Sequence, residues 1–268
     1  MKKFIALALL AIASLPAMAF RTDTIKVQTK YLATPEDVTV IVPDGSKDSR
    51  FPTVYLLNGY GGNHRTWGEV QPRLGELADS YGMVIVMPDG RDSWYWDSPV
   101  DPSMQMESFF VKDLIPYIDA HYPTIADRSK RAITGLSMGG HGSLWLAGRH
   151  PQLFGSAGSM SGGVDIRPFP KRWKMAQRLG DYEANKKSWS EHTIATMVPK
   201  YKDADINITI DCGTSDFFAD VNRQLHNSLL EAGVPHDYTE RPGAHTRKYW
   251  NNSILYHLLF FDRAFNAK

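Results

Sequence analysis

The chain has 268 residues, with 30 Lys and Arg against 29 Asp and Glu, and a single cysteine. Its formal net charge of +1 disfavours nucleic acid or an anionic membrane as the main partner. One cysteine excludes any disulfide within the chain, so the hydrophobic core must stabilise the fold.

The N-terminus is typical of a cleaved export signal. Residues 1–3 read Met-Lys-Lys, an apolar run follows at 4–15, and residues 17–19 read Ala-Met-Ala. The apolar run is shorter than the roughly 20 residues that span a bilayer, so no membrane anchor is expected. We predict a signal peptide at 1–19 and a periplasmic or secreted protein that begins near Phe20. Loss of both lysines would change its formal charge from +1 to −1.

After the signal, runs rich in Val, Ile and Leu alternate with helix-like segments. The strand-like runs lie at 37–42, 53–57, 83–87, 131–136 and 206–211, with a shorter one at 237–240. The helix-like segments lie at 69–80, 108–121, 140–149, 217–232 and 250–260. This alternation predicts a single α/β domain over 20–268, with a mostly parallel central sheet and helices on both faces. The region 25–42 lacks an intervening helix and predicts an antiparallel hairpin at the sheet edge.

A candidate nucleophile lies where the predicted strand at 131–136 meets the next helix. The sequence there is Gly135-Leu136-Ser137-Met138-Gly139. Small residues are needed because a sharp strand-to-helix turn brings backbone segments together and projects the serine hydroxyl outward. The N-terminus of the following helix favours negative charge close by. The pattern therefore predicts that Ser137 is a nucleophile.

A serine hydroxyl reacts only if a base takes its proton and an acid orients that base. In this topology the order along the chain is serine, acid, histidine. His245 follows a Pro-Gly turn after the last predicted strand, and it is the predicted base. Four other histidines lie in or at the end of helix-like segments and are assigned structural roles: His121, His150, His226 and His257.

The predicted acid is Asp216, which follows the strand at 206–211. Two neighbours remain alternatives. Asp211 ends the strand itself, and Asp220 would lie one helical turn further along.

A glycine-rich turn, Asn58-Gly59-Tyr60-Gly61-Gly62-Asn63, directly follows the strand at 53–57. Its spacing matches neither a dinucleotide-binding motif nor a P-loop, so nucleotide binding is not expected. Its position predicts one backbone N–H of an oxyanion hole, the other coming from Met138, and residues 58–63 are here called the oxyanion turn. Tyr60 is the preferred donor in this turn, and Gly59 is the alternative.

Together these motifs resemble the Putative esterase family of α/β-hydrolases, which is related to esterase D. That family includes S-formylglutathione hydrolases, tributyrin-type esterases, feruloyl and acetyl xylan esterases, and mycolyltransferases. The resemblance extends from about Thr53 to the C-terminus and implies the α/β-hydrolase fold with the same triad and oxyanion assignments. The chain departs from the family at Asn58, where these enzymes commonly carry His.

No zinc-type motif or Cys/His cluster occurs, so neither a metal nor another cofactor is expected.

Aromatic residues near the predicted site indicate the class of substrate. Trp96 lies in the stretch that follows the strand at 83–87, Trp67 follows the oxyanion turn, and aromatic faces suit sugar rings or hydroxycinnamoyl groups. His64 is a candidate contact for the leaving group.

With export, these features predict a serine carboxylesterase that acts on acetyl or feruloyl esters of soluble plant polysaccharide fragments. The substrate would be a small-molecule or oligosaccharide ester. An acyltransferase with the same triad and a non-catalytic carbohydrate-binding protein are the alternatives. The sequence leaves the oligomeric state open.

Overall fold

The computed structural model describes residues 20–267. Its strands are β1 (Phe20–Val27), β2 (Glu36–Pro43), β3 (Thr53–Leu57), β4 (Val84–Pro88), β5 (Arg131–Gly135), β6 (Ser156–Met160), β7 (Asn207–Gly213) and β8 (Asp237–Arg241). They form one sheet in the order β1-β2-β4-β3-β5-β6-β7-β8. β2 pairs antiparallel with β1 and with β4, and all the other pairs are parallel. The predicted α/β fold and its antiparallel edge hairpin are confirmed.

The helices are α1 (Thr66–Val70), α2 (Leu74–Tyr81), α3 (Met106–Phe109), α4 (Ile115–His121), α5 (Met138–Arg149), α6 (Met175–Leu179), α7 (Lys186–Glu191), α8 (Val198–Lys202), α9 (Ala219–Glu231) and α10 (Arg247–Asn266). Because successive side chains of a strand point to opposite faces, β3 contributes to two separate cores. Tyr55 and Leu57 pack with α5 and α9, whereas Val54 and Leu56 pack with α2 and α10. Helices therefore cover both faces, as predicted.

Two predicted helices are interrupted at prolines. The segment 69–80 is divided between α1 and α2 because Pro72, which lies between them, has no N–H for the helical ladder. The segment 108–121 begins two residues earlier, and a π-helical turn at Phe110–Leu114 joins α3 to α4 just before Pro116. A proline at this position removes one i to i−4 hydrogen bond, which explains the irregular turn.

β6 was not predicted, because its sequence Ser-Ala-Gly-Ser-Met contains no β-branched residue. All five of its residues are buried between β5 and β7. The small side chains let α10 approach the sheet closely: a Cβ atom added to Gly158 would lie 2.4 Å from the His257 imidazole. The residues 161–206 that follow, here called the β6–β7 segment, hold α6, α7 and α8, which the sequence patterns also missed.

The predicted export signal, residues 1–19, lies outside the described residues. Within residues 20–267, no helix combines the length and the apolar character needed to cross a bilayer.

Candidate active site

Ser137 lies in a tight turn between β5 and α5. Its backbone has φ 56° and ψ −115°, a conformation that non-glycine residues rarely adopt. The turn requires glycine on both sides of Ser137, because neither position has room for a side chain. A Cβ atom would lie 2.6 Å from the Gly139 carbonyl carbon if added to Gly135, and 2.5 Å from the Leu57 oxygen if added to Gly139. This close packing holds the Ser137 hydroxyl at the carboxyl edge of the sheet.

The structure brings Ser137, His245 and Asp216 into one hydrogen-bonded line. Ser137 Oγ lies 2.9 Å from His245 Nε2, and His245 Nδ1 lies 2.8 Å from Asp216 Oδ2. A carboxylate only accepts hydrogen bonds, so the imidazole proton is on Nδ1 and Nε2 is free to accept the serine proton. Asp216 is buried and also accepts the backbone N–H of Phe218 at 2.8 Å. The arrangement can therefore move a proton from the Ser137 hydroxyl to His245.

The loops after β7 and β8 place the acid beside the histidine. The Thr214 N–H donates to the Arg241 oxygen at 2.9 Å, and the Ser215 N–H donates to the Gly243 oxygen at 2.8 Å. A Cβ atom added to Gly213 would lie 2.5 Å from the Gly243 oxygen. Backbone contacts thus help to fix the separation of the two loops.

The two alternative acids are engaged elsewhere. Asp211 is buried and forms an ion pair with Arg241. The carboxylate of Asp220 is 85% exposed and pairs with Arg223. Only Asp216, of the three candidates, contacts His245.

Three backbone N–H groups near Ser137 lack an acceptor within the described part of the chain. They belong to Tyr60, Met138 and Gly59. Gly59 and Tyr60 line the cleft beside Ser137, and Met138 is the first residue of α5. Both predicted oxyanion donors, and the alternative Gly59, are therefore free to bind a negatively charged oxygen.

Asn58, the residue that departs from the family pattern, braces the oxyanion turn. Its Oδ1 accepts the Gly90 N–H at 2.8 Å and the Tyr95 hydroxyl at 3.0 Å, and its Nδ2 donates to the Gly59 oxygen at 3.0 Å. The side chain is buried, and all three partners are protein groups. Asn58 therefore shapes the turn without facing the cleft.

An open cleft of about 570 Å³ lies over Ser137. Five of the side chains that line it were missed by the sequence analysis: Glu69, Trp173, Phe217, Arg247 and Trp250. The His245 ring packs near Phe217, at 4.3 Å between ring centroids, and near Trp250, at 4.8 Å. Phe217 directly follows Asp216, so its position next to the predicted acid was a usable signal. Trp173 belongs to the β6–β7 segment, where no sequence pattern pointed to the site.

Trp96, a predicted substrate contact, is buried behind the cleft. Its indole N–H donates to His141 Nε2 at 2.8 Å, and its ring stacks on Trp94. Burial lowers the pKa of His141 to about 3, so its neutral ring donates from Nδ1 to the Gly163 oxygen at 2.9 Å. Trp96 therefore supports the protein core and does not line the cleft, which corrects the sequence-based prediction.

The other two predicted substrate contacts are also corrected. Trp67 is 1% exposed, and its indole N–H donates to the Leu57 oxygen at 2.8 Å. His64 is 5% exposed and shares a hydrogen bond of 2.8 Å with the Thr39 hydroxyl. Both support the strands beneath the site, and neither lines the cleft.

Over residues 20–267, no group of three or more His, Cys, Asp and Glu side chains is placed to hold a metal ion. The chemistry that the described residues offer is a serine, a histidine, a carboxylate and free backbone N–H groups.

Known proteins are similar to this chain in fold and in sequence. A family model described as "Putative esterase" matches residues 29–261. An acetyl esterase of Caldicellulosiruptor saccharolyticus is 28% identical over 247 residues, which cover 84% of this chain and 92% of that protein. An endo-1,4-beta-xylanase/feruloyl esterase of Xylanibacter ruminicola is 32% identical over 151 residues, which cover 53% of this chain and 20% of that protein.

Among solved structures, a ferulic acid esterase superposes with a TM-score of 0.78 and 26% identity, over 91% of this chain and 99% of that one. The range matched by the family model includes Ser137, Asp216, His245 and the oxyanion turn. The chain belongs to the Putative esterase family and is an ester hydrolase with the α/β-hydrolase fold.

Proposed function

We propose that this enzyme is an exported serine carboxylesterase that cleaves small acyl or hydroxycinnamoyl esters of carbohydrates through an acyl-enzyme at Ser137. The observation that carries the proposal is the unbroken line of hydrogen bonds from Ser137 Oγ through His245 to the buried Asp216. The cleft above it, of about 570 Å³, is large enough for a small acyl group together with a sugar. Similarity to an acetyl esterase and to a xylanase/feruloyl esterase favours this substrate class.

In the first half of the reaction, Ser137 Oγ attacks the ester carbonyl while His245 Nε2 accepts its proton. Asp216 holds the imidazole tautomer and stabilises the positive charge that forms. The N–H groups of Tyr60 and Met138 stabilise the tetrahedral oxyanion, at a few kcal/mol per donor. The imidazolium then protonates the leaving alcohol, and the acyl-enzyme remains.

In the second half, water takes the place of the alcohol beside His245. Nε2 accepts a proton from the water as its oxygen attacks the acyl carbonyl, and the same N–H groups stabilise the second oxyanion. Collapse of this intermediate releases the acid, and the proton returns to Ser137. An added alcohol that occupies the water position would receive the acyl group instead.

The proposal is tested by measuring hydrolysis of p-nitrophenyl acetate, methyl ferulate and acetylated xylo-oligosaccharides with wild type and Ser137→Ala. We expect Ser137→Ala to lower kcat by at least about 10⁴-fold, because the nucleophile is lost. A matched control is Ser159→Ala, since this buried serine has no hydrogen-bond partner among the described residues and should keep wild-type activity.

Activity that survives in Ser137→Ala would exclude Ser137 as the nucleophile. Wild-type activity that depends on an added sugar alcohol would identify an acyltransferase. Binding of oligosaccharides without turnover of any ester would identify a binding protein. Recovery of the mature chain, beginning near Phe20, from the periplasm or the medium tests export.

A further inference from the structure

The wall of the cleft beside His245 is aromatic and partly open to solvent. Phe217 is 52% exposed, and its ring lies 5.8 Å from that of Trp173 with an angle of 23° between the planes. Both side chains line the cleft over Ser137. Exposure of a large aromatic surface inside a cleft is unfavourable in the free protein and is typical of a ligand contact.

The aromatic wall lies on the side where the alcohol leaves. In an ester hydrolase of this type, His245 Nε2 protonates the leaving oxygen, so the alcohol half of the substrate must pass next to the imidazole. The Phe217 ring centroid is 4.3 Å from that of His245. A group stacked on Phe217 is therefore close to the alcohol oxygen.

Charged groups line the same cleft. Glu69, on α1, and Arg247, on α10, form an ion pair of 2.9 Å, and both side chains are more than half exposed. A carboxylate and a guanidinium are planar groups with several hydrogen-bonding positions, which suit neighbouring hydroxyls. A sugar ring has an apolar face for the aromatic wall and hydroxyl groups for the ion pair. An alkyl alcohol would use neither feature, and an aryl alcohol would use only the wall.

We infer that Trp173 and Phe217 form a subsite for the sugar ring that carries the scissile ester, with Glu69 and Arg247 as partners for its hydroxyls. This inference rests on the proposed function and adds to it where the carbohydrate half of the substrate binds. The acyl group then lies on the opposite side of Ser137.

The subsite is held in its binding conformation by the fold. Trp173 and Lys174 have φ values of 48° and 53°, which only strong surrounding contacts maintain in non-glycine residues. Arg178, four residues after Lys174, donates to Asp92 and to Asp101 at 2.6 Å each. The Trp94 indole N–H donates to the Trp173 oxygen at 3.4 Å. A rigid aromatic surface loses little conformational entropy when a ligand binds.

The test compares two esters that share an acetyl group and differ in the alcohol: ethyl acetate and acetylated xylo-oligosaccharides. For Phe217→Ala and Trp173→Ala we expect kcat/KM on the sugar ester, relative to that on ethyl acetate, to fall about fivefold to tenfold, mainly through KM. Phe217→Tyr should retain the wild-type ratio, because it preserves the aromatic face. Leu230→Ala is a matched control, since this α9 side chain is 58% exposed but lies outside the cleft.

An equal loss on both esters would overturn the inference, because it would mean that Phe217 acts only by supporting His245. A loss on methyl ferulate relative to ethyl acetate, with none on the sugar ester, would also overturn it and assign the wall to the acyl half.

A binding measurement separates failure of this inference from failure of the proposed function. Calorimetry with unacetylated xylotriose and the Ser137→Ala variant requires no turnover. Binding that the further change Phe217→Ala weakens would support the subsite even if no ester is hydrolysed. Absence of binding at millimolar xylotriose would overturn the subsite while leaving an esterase reaction at Ser137 intact.

Discussion

The loops that carry Ser137, Asp216 and His245 are held by backbone contacts, whereas the β6–β7 segment that carries Trp173 is held by side-chain ion pairs. In the catalytic loops, glycines at 135, 139 and 213 leave no space for a Cβ atom against neighbouring backbone. In the β6–β7 segment, Arg178 joins Asp92 and Asp101, 86 and 77 residues earlier in the chain.

This difference separates the constraints on chemistry from those on substrate choice. A loop fixed by backbone packing tolerates almost no substitution at the contact, because the backbone itself must move. A segment fixed by ion pairs can change its side chains and shift its surface while the loops beneath keep their geometry. We therefore expect changes in the catalytic loops to lower activity on all esters, and changes in the β6–β7 segment to alter selectivity.

Among changes that leave Ser137, Asp216 and His245 in place, the largest effect is expected for Gly139→Ala. The added Cβ atom would lie 2.5 Å from the Leu57 oxygen and 2.7 Å from the Asn58 oxygen, so the oxyanion turn must move away from Ser137. We expect kcat/KM to fall by about 10² to 10³ on every ester, and the free energy of unfolding by about 2 kcal/mol. Kinetics on ethyl acetate and a urea titration measure the two effects.

The matched control is Gly68→Ala on α1, where an added Cβ atom meets nothing within 4 Å. It should keep wild-type activity and gain up to about 1 kcal/mol of stability from its higher helix propensity. Wild-type rates in Gly139→Ala would contradict the view that backbone packing sets the oxyanion geometry.

A smaller effect on activity, and one that depends on the ester, is expected for Arg178→Gln. Burial raises the pKa of Asp92, but hydrogen bonds from Arg178 and Lys174 outweigh it and hold that pKa below its ordinary value. Loss of the guanidinium leaves Asp101 without its cationic partner and Asp92 with Lys174 alone, so we expect a loss of about 2 kcal/mol in urea denaturation. Preference for the sugar ester should fall, while kcat/KM on ethyl acetate stays within about twofold.

The exposed pair between Arg73 and Glu76 offers the control for this change, because both side chains are more than half exposed. Arg73→Gln should alter stability by less than about 1 kcal/mol and leave the ester preference unchanged. A uniform loss of activity on both esters in Arg178→Gln would show that the β6–β7 segment supports the catalytic loops as well as the wall.

The smallest effect is a dependence of stability on pH through His141, which lies on α5 and contacts the β6–β7 segment. Its ring accepts from Trp96 and donates to the Gly163 oxygen at the start of the β6–β7 segment. Burial lowers the pKa of His141 from 6.5 to about 3. The contribution of its neutral ring to the free energy of unfolding is therefore fully present above pH 6.5 and decreases as pH falls toward 3. The slope is at most about 1.4 kcal/mol per pH unit for this one group.

Urea titrations at pH 7 and pH 5 test this sign. Wild type should lose up to about 2 kcal/mol more than His141→Gln over that interval, because glutamine does not titrate. His64 and His192, whose pKa values burial also lowers, contribute equally to both proteins. His121→Gln changes an exposed side chain on α4 and should lose as much stability between pH 7 and pH 5 as wild type. An equal loss in His141→Gln would refute the assignment of this pH dependence to His141.

The sequence predicted the sheet, most of its strands and the residues that the structure brings together at Ser137. It could do so because these features depend on local chemistry: apolar runs build buried strands, and glycines mark turns where no side chain fits. β6 escaped prediction since its small residues carry no strand signal of their own. Burial between two other strands determines its conformation.

Which tryptophans line the cleft could not be predicted from the sequence. Trp67, Trp96 and Trp173 have identical side chains, and proximity to motifs favoured the first two, yet only Trp173 lines the cleft. Whether a tryptophan faces the core or the substrate depends on partners distant in the chain, such as His141 for Trp96 and the Arg178 ion pairs for Trp173. From the sequence alone, Ser137, Asp216 and His245 could be predicted as nucleophile, acid and base, because their loops need particular residues at adjacent positions. Tertiary packing alone decided the wall of the cleft, because burial is a property of the folded chain.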